Sequence, residues 1–256
     1  PARPWFLIVP AAGDPVAGIP TIGAELMGRS WITDIRTWRS PDYDDDGVGL
    51  LAATIKELGI KTLATPMGLE THLRMPLDDY ARLEATLGSK IVSDDGMIPA
   101  LRMVKSDVEV AAIQTACDVA NRAFARVPEI AKAGVPLSTV FRKFQMLCLD
   151  EGADFVPYLS GGAGQGGYDD VISPASDTPL ADGDILMLDT GPIVDGYFCD
   201  FDRNFAVGVP SEAVGNRHAQ RIATADAALA LAKPGATLAQ TFPRDESCTD
   251  GGHGGP

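Results

Sequence analysis

Two apolar runs between Ile185 and Val207 flank the dipeptide Asp195-Gly196, and this arrangement limits the fold more than any other stretch of the chain. Asp-Gly suits a two-residue hairpin turn, in which both central residues take positive φ. Such a turn sets Val194 opposite Tyr197, Asp189 opposite Asp202 and Asp200 opposite Gly191. Side chains alternate with period two along a strand, so Asp189, Asp200 and Asp202 are expected on one face. Leu186, Leu188, Phe201, Phe205 and Val207 make the strands apolar, as in a sheet covered on at least part of both faces. Like charges in such a setting are costly without a counter-ion. Carboxylate oxygens suit hard or borderline divalent ions such as manganese, magnesium or zinc. Solvent holding the carboxylates apart on a wet face is the competing reading, and the pattern leaves both open.

A chain of 256 residues can build one large domain or two ordinary ones. Its 21 basic and 35 acidic residues give a net charge of −14, which disfavours nucleic acid or an anionic membrane as a partner. No window has the length and apolar content of a membrane span, and the start Pro1-Ala-Arg-Pro-Trp5 lacks a signal-peptide layout, so a cytoplasmic location is expected. Cys117, Cys148, Cys199 and Cys248 are widely spaced, and free thiols are expected. Cys117 and Cys148 fall on apolar helix faces, and Cys199 faces away from Asp200 across its strand.

The first hundred residues alternate strand and helix signals: strands at Phe6–Val9, Lys61–Thr65 and Lys90–Val92, helices at Gly47–Leu58 and Leu77–Leu87. That alternation predicts an α/β layer. A boundary falls near Leu101–Ser106, where Ser106-Asp-Val-Glu109 has the spacing of a capping box and opens a helix striped by Ile113, Ala116, Ala120, Phe124 and Val127. Ala131-Lys-Ala-Gly-Val-Pro-Leu-Ser-Thr-Val-Phe141 is echoed about a hundred residues later by Ala232-Lys-Pro-Gly-Ala-Thr-Leu-Ala-Gln-Thr-Phe242, each copy after a long helix, the second capped by Ser211. The echo points to an internal duplication. The second copy then meets Pro243 and a tail of clustered glycines without apolar periodicity, so residues 243–256 are expected to be foreign to the fold.

The segment from Asp189 to Val207 resembles the metal-binding hairpin of the pita-bread metallopeptidases, the group of Xaa-Pro dipeptidase, aminopeptidase P, methionine aminopeptidase and creatinase. Leu101–Glu109 resembles the join between that family's N-terminal and catalytic domains, Trp31–Arg36 and Gly68–His72 suit the N-terminal domain, and Pro174–Asp184 resembles the approach to the first metal strand. The resemblance implies a creatinase-like α/β N-terminal domain over residues 1–104, lacking its first elements, and an α+β pita-bread domain over 105–256, incomplete after 242. It also implies that Asp189 and Asp200 are metal ligands in a site for two divalent ions, commonly manganese, cobalt or zinc, and that the chain is a homodimer. The implied activity is hydrolysis of a small peptide or amide, with proline after the scissile bond.

Departures from the family pattern keep two alternatives in view. The family completes its site with a histidine in a Gly-His-Gly context and two later glutamates. Here Gly252-His253-Gly254 has no glutamate after it, and His253 lies only 53 residues beyond Asp200. Asp202 stands where threonine is usual, and the region of a substrate-contacting histidine holds Ile172 or a neighbour. A non-catalytic or truncated dimerising relative with an incomplete metal site is one alternative, and a metal-free creatinase-like amidinohydrolase is the other.

Other signals have plainer readings. Gly162-Ala-Gly-Gln-Gly-Gly167 has dinucleotide spacing, yet no helix pattern follows it to receive a pyrophosphate, so a loop over the cleft fits better. The run Asp42-Tyr-Asp-Asp-Asp-Gly47 reads as a solvated turn capping a helix, since no glutamate completes a calcium loop. His72 and His218 lack partners at ligand spacing, and Trp5, Trp31 and Trp38 are expected to pack the N-terminal domain, with a subunit interface as the lesser option.

Overall fold

The computed structural model describes residues 5–241, and the chain divides into two compact units after Val104. The expectations about His253 and the tail 243–256 lie outside the described residues.

The first unit runs β1 (Phe6–Ile8), β2 (Val16–Pro20), α1 (Ala24–Met27), β3 (Asp34–Trp38), α2 (Val48–Glu57), β4 (Thr62–Thr65), α3 (Leu77–Thr86), β5 (Lys90–Ser93) and α4 (Met97–Met103). β2 pairs antiparallel with β1 and parallel with β3, and β4 pairs parallel with β5. β2 escapes sequence reading because all five of its residues are buried, which erases the alternation that marks a half-exposed strand. α2 buries Val48, Leu51, Ala52 and Ile55, one face at helical spacing, against Ile8, Leu83 and Leu87. The acidic turn before it acts as a cap: the Asp45 carboxylate accepts from the Gly49 N–H at 2.9 Å. The tryptophan expectation needs correcting. Trp38 is buried, but Trp5 and Trp31 are 56% and 75% exposed, so two of the three do not serve the core.

The second unit opens with α5 (Asp107–Ala125), α6 (Val127–Ile130) and α7 (Leu137–Asp150). The Ser106 hydroxyl accepts from the Glu109 N–H, and the Glu109 carboxylate accepts from the Ser106 N–H at 2.7 Å, which completes the capping box. Next come β6 (Leu159–Gln165), β7 (Asp184–Thr190), β8 (Ile193–Val194), β9 (Tyr197–Phe198), β10 (Phe201–Ala206), α8 (Glu212–Leu231) and α9 (Leu238–Thr241). β7 is the middle strand, antiparallel to β6 on one side and β10 on the other.

The period-two register gives this sheet two different faces. Leu186 and Leu188 of β7, with Phe201 and Phe205 of β10, pack on Phe124 of α5 and Phe144 of α7. Phe124 meets Phe144 at 4.8 Å between ring centroids, and the Arg203 guanidinium lies 4.6 Å from the Phe201 centroid. The opposite face carries Ile185, Met187 and Asp189 on β7, flanked by Asp202 and Asn204 on β10 and by Ser160, Gly162 and Gly164 on β6.

The first part of the glycine run is therefore strand, with Gly162 to Gln165 in β6, while Gly166-Gly167 make the turn that leaves it. Cβ atoms at Gly162 and Gly164 would lie 2.3 Å from the Asp170 carbonyl oxygen and 2.6 Å from that of Gly167, so the segment after β6 folds back against these bare positions. No helix opens within residues 168–183, directly after the run.

Candidate metal centre

The hairpin forms in the predicted register but as two ladders. Val194 faces Tyr197 across β8 and β9, and Asp189 faces Asp202 across β7 and β10. Asp195 and Gly196 take φ of 50° and 80°, the positive values that the turn requires. Between the ladders lie Gly191-Pro192 and Cys199-Asp200, which belong to no strand. Proline has no N–H to give to a ladder. A Cβ at Gly191 would sit 2.1 Å from the Cys199 carbonyl oxygen, so only glycine allows the two segments to approach this closely.

Two neighbours fix the hairpin. On one side Asp154 and Phe155 pair with Ile193, and the Asp154 carboxylate accepts from the Asp195 N–H at 2.7 Å. On the other side α5 packs on β8 and β9, with the buried Cys199 Sγ 3.5 Å from the Ala116 carbonyl oxygen. Cys199 faces the core while Asp200, the next residue, is exposed on the opposite side.

Tyr158 brings the carboxylates together. Its hydroxyl donates to Asp200 Oδ1 at 2.8 Å and lies 3.4 Å from Asp189 Oδ1. Burial, then the hydrogen bond to Asp200, holds the phenol above its ordinary range, so it remains a donor. Burial, followed by the Asp200 charge, also raises the Asp189 carboxyl above the usual carboxylate range. A negative centre that is costly to ionise, facing a second carboxylate across one hydroxyl, favours either a proton or a cation.

Asp202 stands beside Asp189 across the strands and is exposed. Among the described residues no group of three or more His, Cys, Asp or Glu side chains converges closely enough to hold an ion. The donor set on hand is therefore two carboxylates, oxygen ligands suited to a hard divalent ion and short of a full coordination shell. Asp184, the buried carboxylate at the start of β7, is otherwise engaged: its oxygens accept from Gln165 Nε2 at 2.7 Å and from the Ala181 N–H at 2.8 Å. His72 and His218 are exposed and join no such group.

Sequence reading missed Tyr158 and Thr190. Thr190 is fully buried, and its hydroxyl donates to the Tyr158 carbonyl at 2.6 Å. Both depend on the pairing of β6 with β7 across about thirty residues, which no local periodicity encodes.

The fold has known counterparts. The prolidase from Pyrococcus furiosus superposes with a TM-score of 0.72 at 20% identity, covering 93% of this chain and 66% of that one. The chain thus shares the fold of a prolidase. The sequence profile of metallopeptidase family M24 matches residues 111–242, just over half of the chain, and the chain belongs to that family. A probable dipeptidase PepE of Mycobacterium tuberculosis is 29% identical over 237 residues, 91% of this chain and 61% of that protein. A Xaa-Pro dipeptidase of Pyrococcus horikoshii is 27% identical over 181 residues, 70% of this chain and 50% of that protein. The chain spans between half and about three-fifths of the length of these curated relatives.

Proposed function

We propose that this chain is the metal-binding part of a peptidase that hydrolyses small peptides with proline after the scissile bond, and that Asp189 and Asp200 are ligands of two divalent ions, manganese, cobalt or zinc. The observation that carries the reading is the convergence of both carboxylates on the Tyr158 hydroxyl, at 3.4 and 2.8 Å, in a chain of family M24. Relatives named as a dipeptidase and a Xaa-Pro dipeptidase support the substrate class. On this reading the first unit is a creatinase-like N-terminal domain, the second is a pita-bread domain, and the protein works as a homodimer in the cytoplasm. Among the described residues no helix is long and apolar enough to cross a membrane.

Divalent ions at such a site supply Lewis acidity toward a peptide carbonyl and lower the pKa of water. The chain's own residues do the positioning. Thr190 fixes the height of Tyr158, Tyr158 holds the Asp189 and Asp200 oxygens toward one another, and Met187 and Ile185 give the same sheet face an apolar floor beside them.

The test is hydrolysis of Xaa-Pro dipeptides by the purified, manganese-loaded protein, read beside calorimetric Mn²⁺ binding. Binding and turnover that both fall at least a hundredfold in Asp189→Ala and Asp200→Ala support the reading. Full turnover in Asp189→Ala would overturn it in favour of a metal-free amidinohydrolase. Metal binding without turnover of any dipeptide would favour a non-catalytic relative.

A further inference from the structure

The metal reading employs Asp189 and Asp200 and leaves a third carboxylate on the same sheet face without a task. Asp202 lies directly opposite Asp189 in the pairing of β10 with β7, where opposed positions hold their Cβ atoms about 5 Å apart. Like charges so placed weaken a ladder. Asp202 nevertheless makes no side-chain hydrogen bond or ion pair among the described residues, and it is exposed. Arg203, the cation next to it in the chain, alternates to the other face. Its guanidinium lies 4.6 Å from the Phe201 centroid and 5.8 Å from that of Phe124, and its Nη1 donates at 2.7 Å to the backbone carbonyl of Asp202, away from the carboxylate. Asn204, the next residue on the Asp202 face, is neutral. Nor do the three aspartates converge as one ion's ligands, since no group of three such side chains does so among the described residues. One negative charge beside the carboxylate pair thus lacks a counter-charge from the protein.

From this placement we propose that Asp202 is a specificity-determining residue, whose carboxylate pairs with a cationic nitrogen on the substrate residue ahead of the scissile bond. A peptide with its reacting carbonyl at Asp189 and Asp200 carries its α-ammonium two bonds from that carbonyl. A lysine or arginine side chain on the same residue extends further from the same point. Either cation comes within reach of a position one strand over. A carboxylate gains a charge-assisted hydrogen bond from such a group, gains nothing comparable from a blocked amine, and repels an acidic side chain. Selection by charge follows from one exposed side chain.

The inference rests on the peptidase reading, so binding is measured beside turnover and the two can fail separately. The manganese-loaded chain and its Asp202→Asn variant are given glycyl-proline, lysyl-proline and N-acetylglycyl-proline. Calorimetry follows the binding of Mn²⁺, glycinamide, lysinamide and N-acetylglycinamide. In the parent, the charged compounds should bind at least tenfold more tightly than the acetylated ones. In Asp202→Asn that preference should fall to less than threefold, through KM with kcat little changed, while Mn²⁺ affinity is retained. A loss shared by the glycyl and lysyl compounds identifies the α-ammonium as the partner, and a loss confined to the lysyl compounds identifies the side chain. A preference that survives in Asp202→Asn, equal binding of all three amides by the parent, or binding of none would overturn the proposal. A tenfold fall in Mn²⁺ affinity would also overturn it, by making Asp202 a metal ligand. Selective amide binding without turnover of any dipeptide would uphold the role of Asp202 and defeat the peptidase reading alone.

Discussion

The Thr190 hydroxyl donates to the Tyr158 carbonyl at 2.6 Å, and the Tyr158 hydroxyl in turn donates to Asp200 at 2.8 Å. One buried threonine at the end of β7 therefore sets where the phenol between the two carboxylates begins. Asp189 is the residue before Thr190, so a single strand end positions one carboxylate directly and the tyrosine through its backbone.

Thr190→Val keeps the shape and removes the donor. With Thr190 fully buried, the loss should cost about 1–3 kcal/mol, because a protein acceptor is left short of its partner. Urea denaturation should show a lower midpoint at unchanged slope, and Mn²⁺ affinity should fall along with stability. Thr190→Ser, which retains the hydroxyl, should recover most of the affinity. Equal metal binding in Val and Ser variants would remove Thr190 from the positioning chain.

Gly191→Ala tests the break between the two ladders. The new methyl would lie 2.1 Å from the Cys199 carbonyl oxygen and 3.3 Å from the Tyr158 ring, and the first contact is backbone that cannot swing away. Forced overpacking of this kind costs about 1–3 kcal/mol, often more against backbone. Gly196→Ala at the turn has open space around it and is strained only by its φ of 80°, so it should cost less. Thermal melts of the two variants side by side check the order, and a milder Gly191→Ala would show that the hairpin can part there.

What the sequence made legible, and what it hid, divides along the range of the interaction. The hairpin register, the turn residues with positive φ and the capping box are short-range features, and each follows from side-chain alternation or from an oxygen within three residues of an unpaired N–H. The register alone put Asp189 beside Asp202, because a two-residue turn leaves no freedom once Asp195-Gly196 is identified. Tyr158 and Thr190 meet only when β6 pairs with β7, and nothing in either stretch announces that partner. The glycine run misled for a related reason. Glycine is rare in strands, and β6 tolerates it because the backbone at 167–170 needs the space. Trp5 and Trp31 misled by size: a large apolar side chain usually packs inside, and here both stay largely exposed.

Ser106→Ala tests the cap at the head of α5. The Ser106 hydroxyl accepts from the Glu109 N–H, and the Glu109 carboxylate accepts in return from the Ser106 N–H. Removing the serine oxygen should cost about 1 kcal/mol, the usual value for an N-cap serine. The Ser106 N–H and then the Ser106 hydroxyl hold the Glu109 carboxyl below its usual range; Ser106→Ala keeps the first bond and removes the second, which is at full strength above that range and is lost as acid protonates Glu109. The difference between parent and variant in chemical melts should therefore shrink toward low pH. A gap that stays constant down to strongly acid pH would show that the serine acts without its glutamate.

Asp189→Asn separates the cost of the site from its use. Burial, then the Asp200 charge, raises the Asp189 carboxyl above its usual 3.8, so the folded chain binds that proton more tightly than the unfolded chain does. The sign follows from linkage: the penalty is absent below pH 3.8, grows as the pH rises, and is complete above the folded pKa. At neutral pH and without metal, Asp189→Asn should therefore be more stable than the parent, by on the order of 0.5–2 kcal/mol for relief of one functional strain. Below pH 3.8 the advantage should disappear. Manganese should reverse the order, because a ligand that binds only the folded parent stabilises it in proportion to the logarithm of its concentration over Kd. The amide variant has lost the charge that attracts the ion. Melts at pH 7 and pH 3, each with and without Mn²⁺, give four comparisons that fix both signs. A variant less stable than the metal-free parent at neutral pH would mean that Asp189 is held as a structural acceptor and that the hairpin does not store charge for a cation.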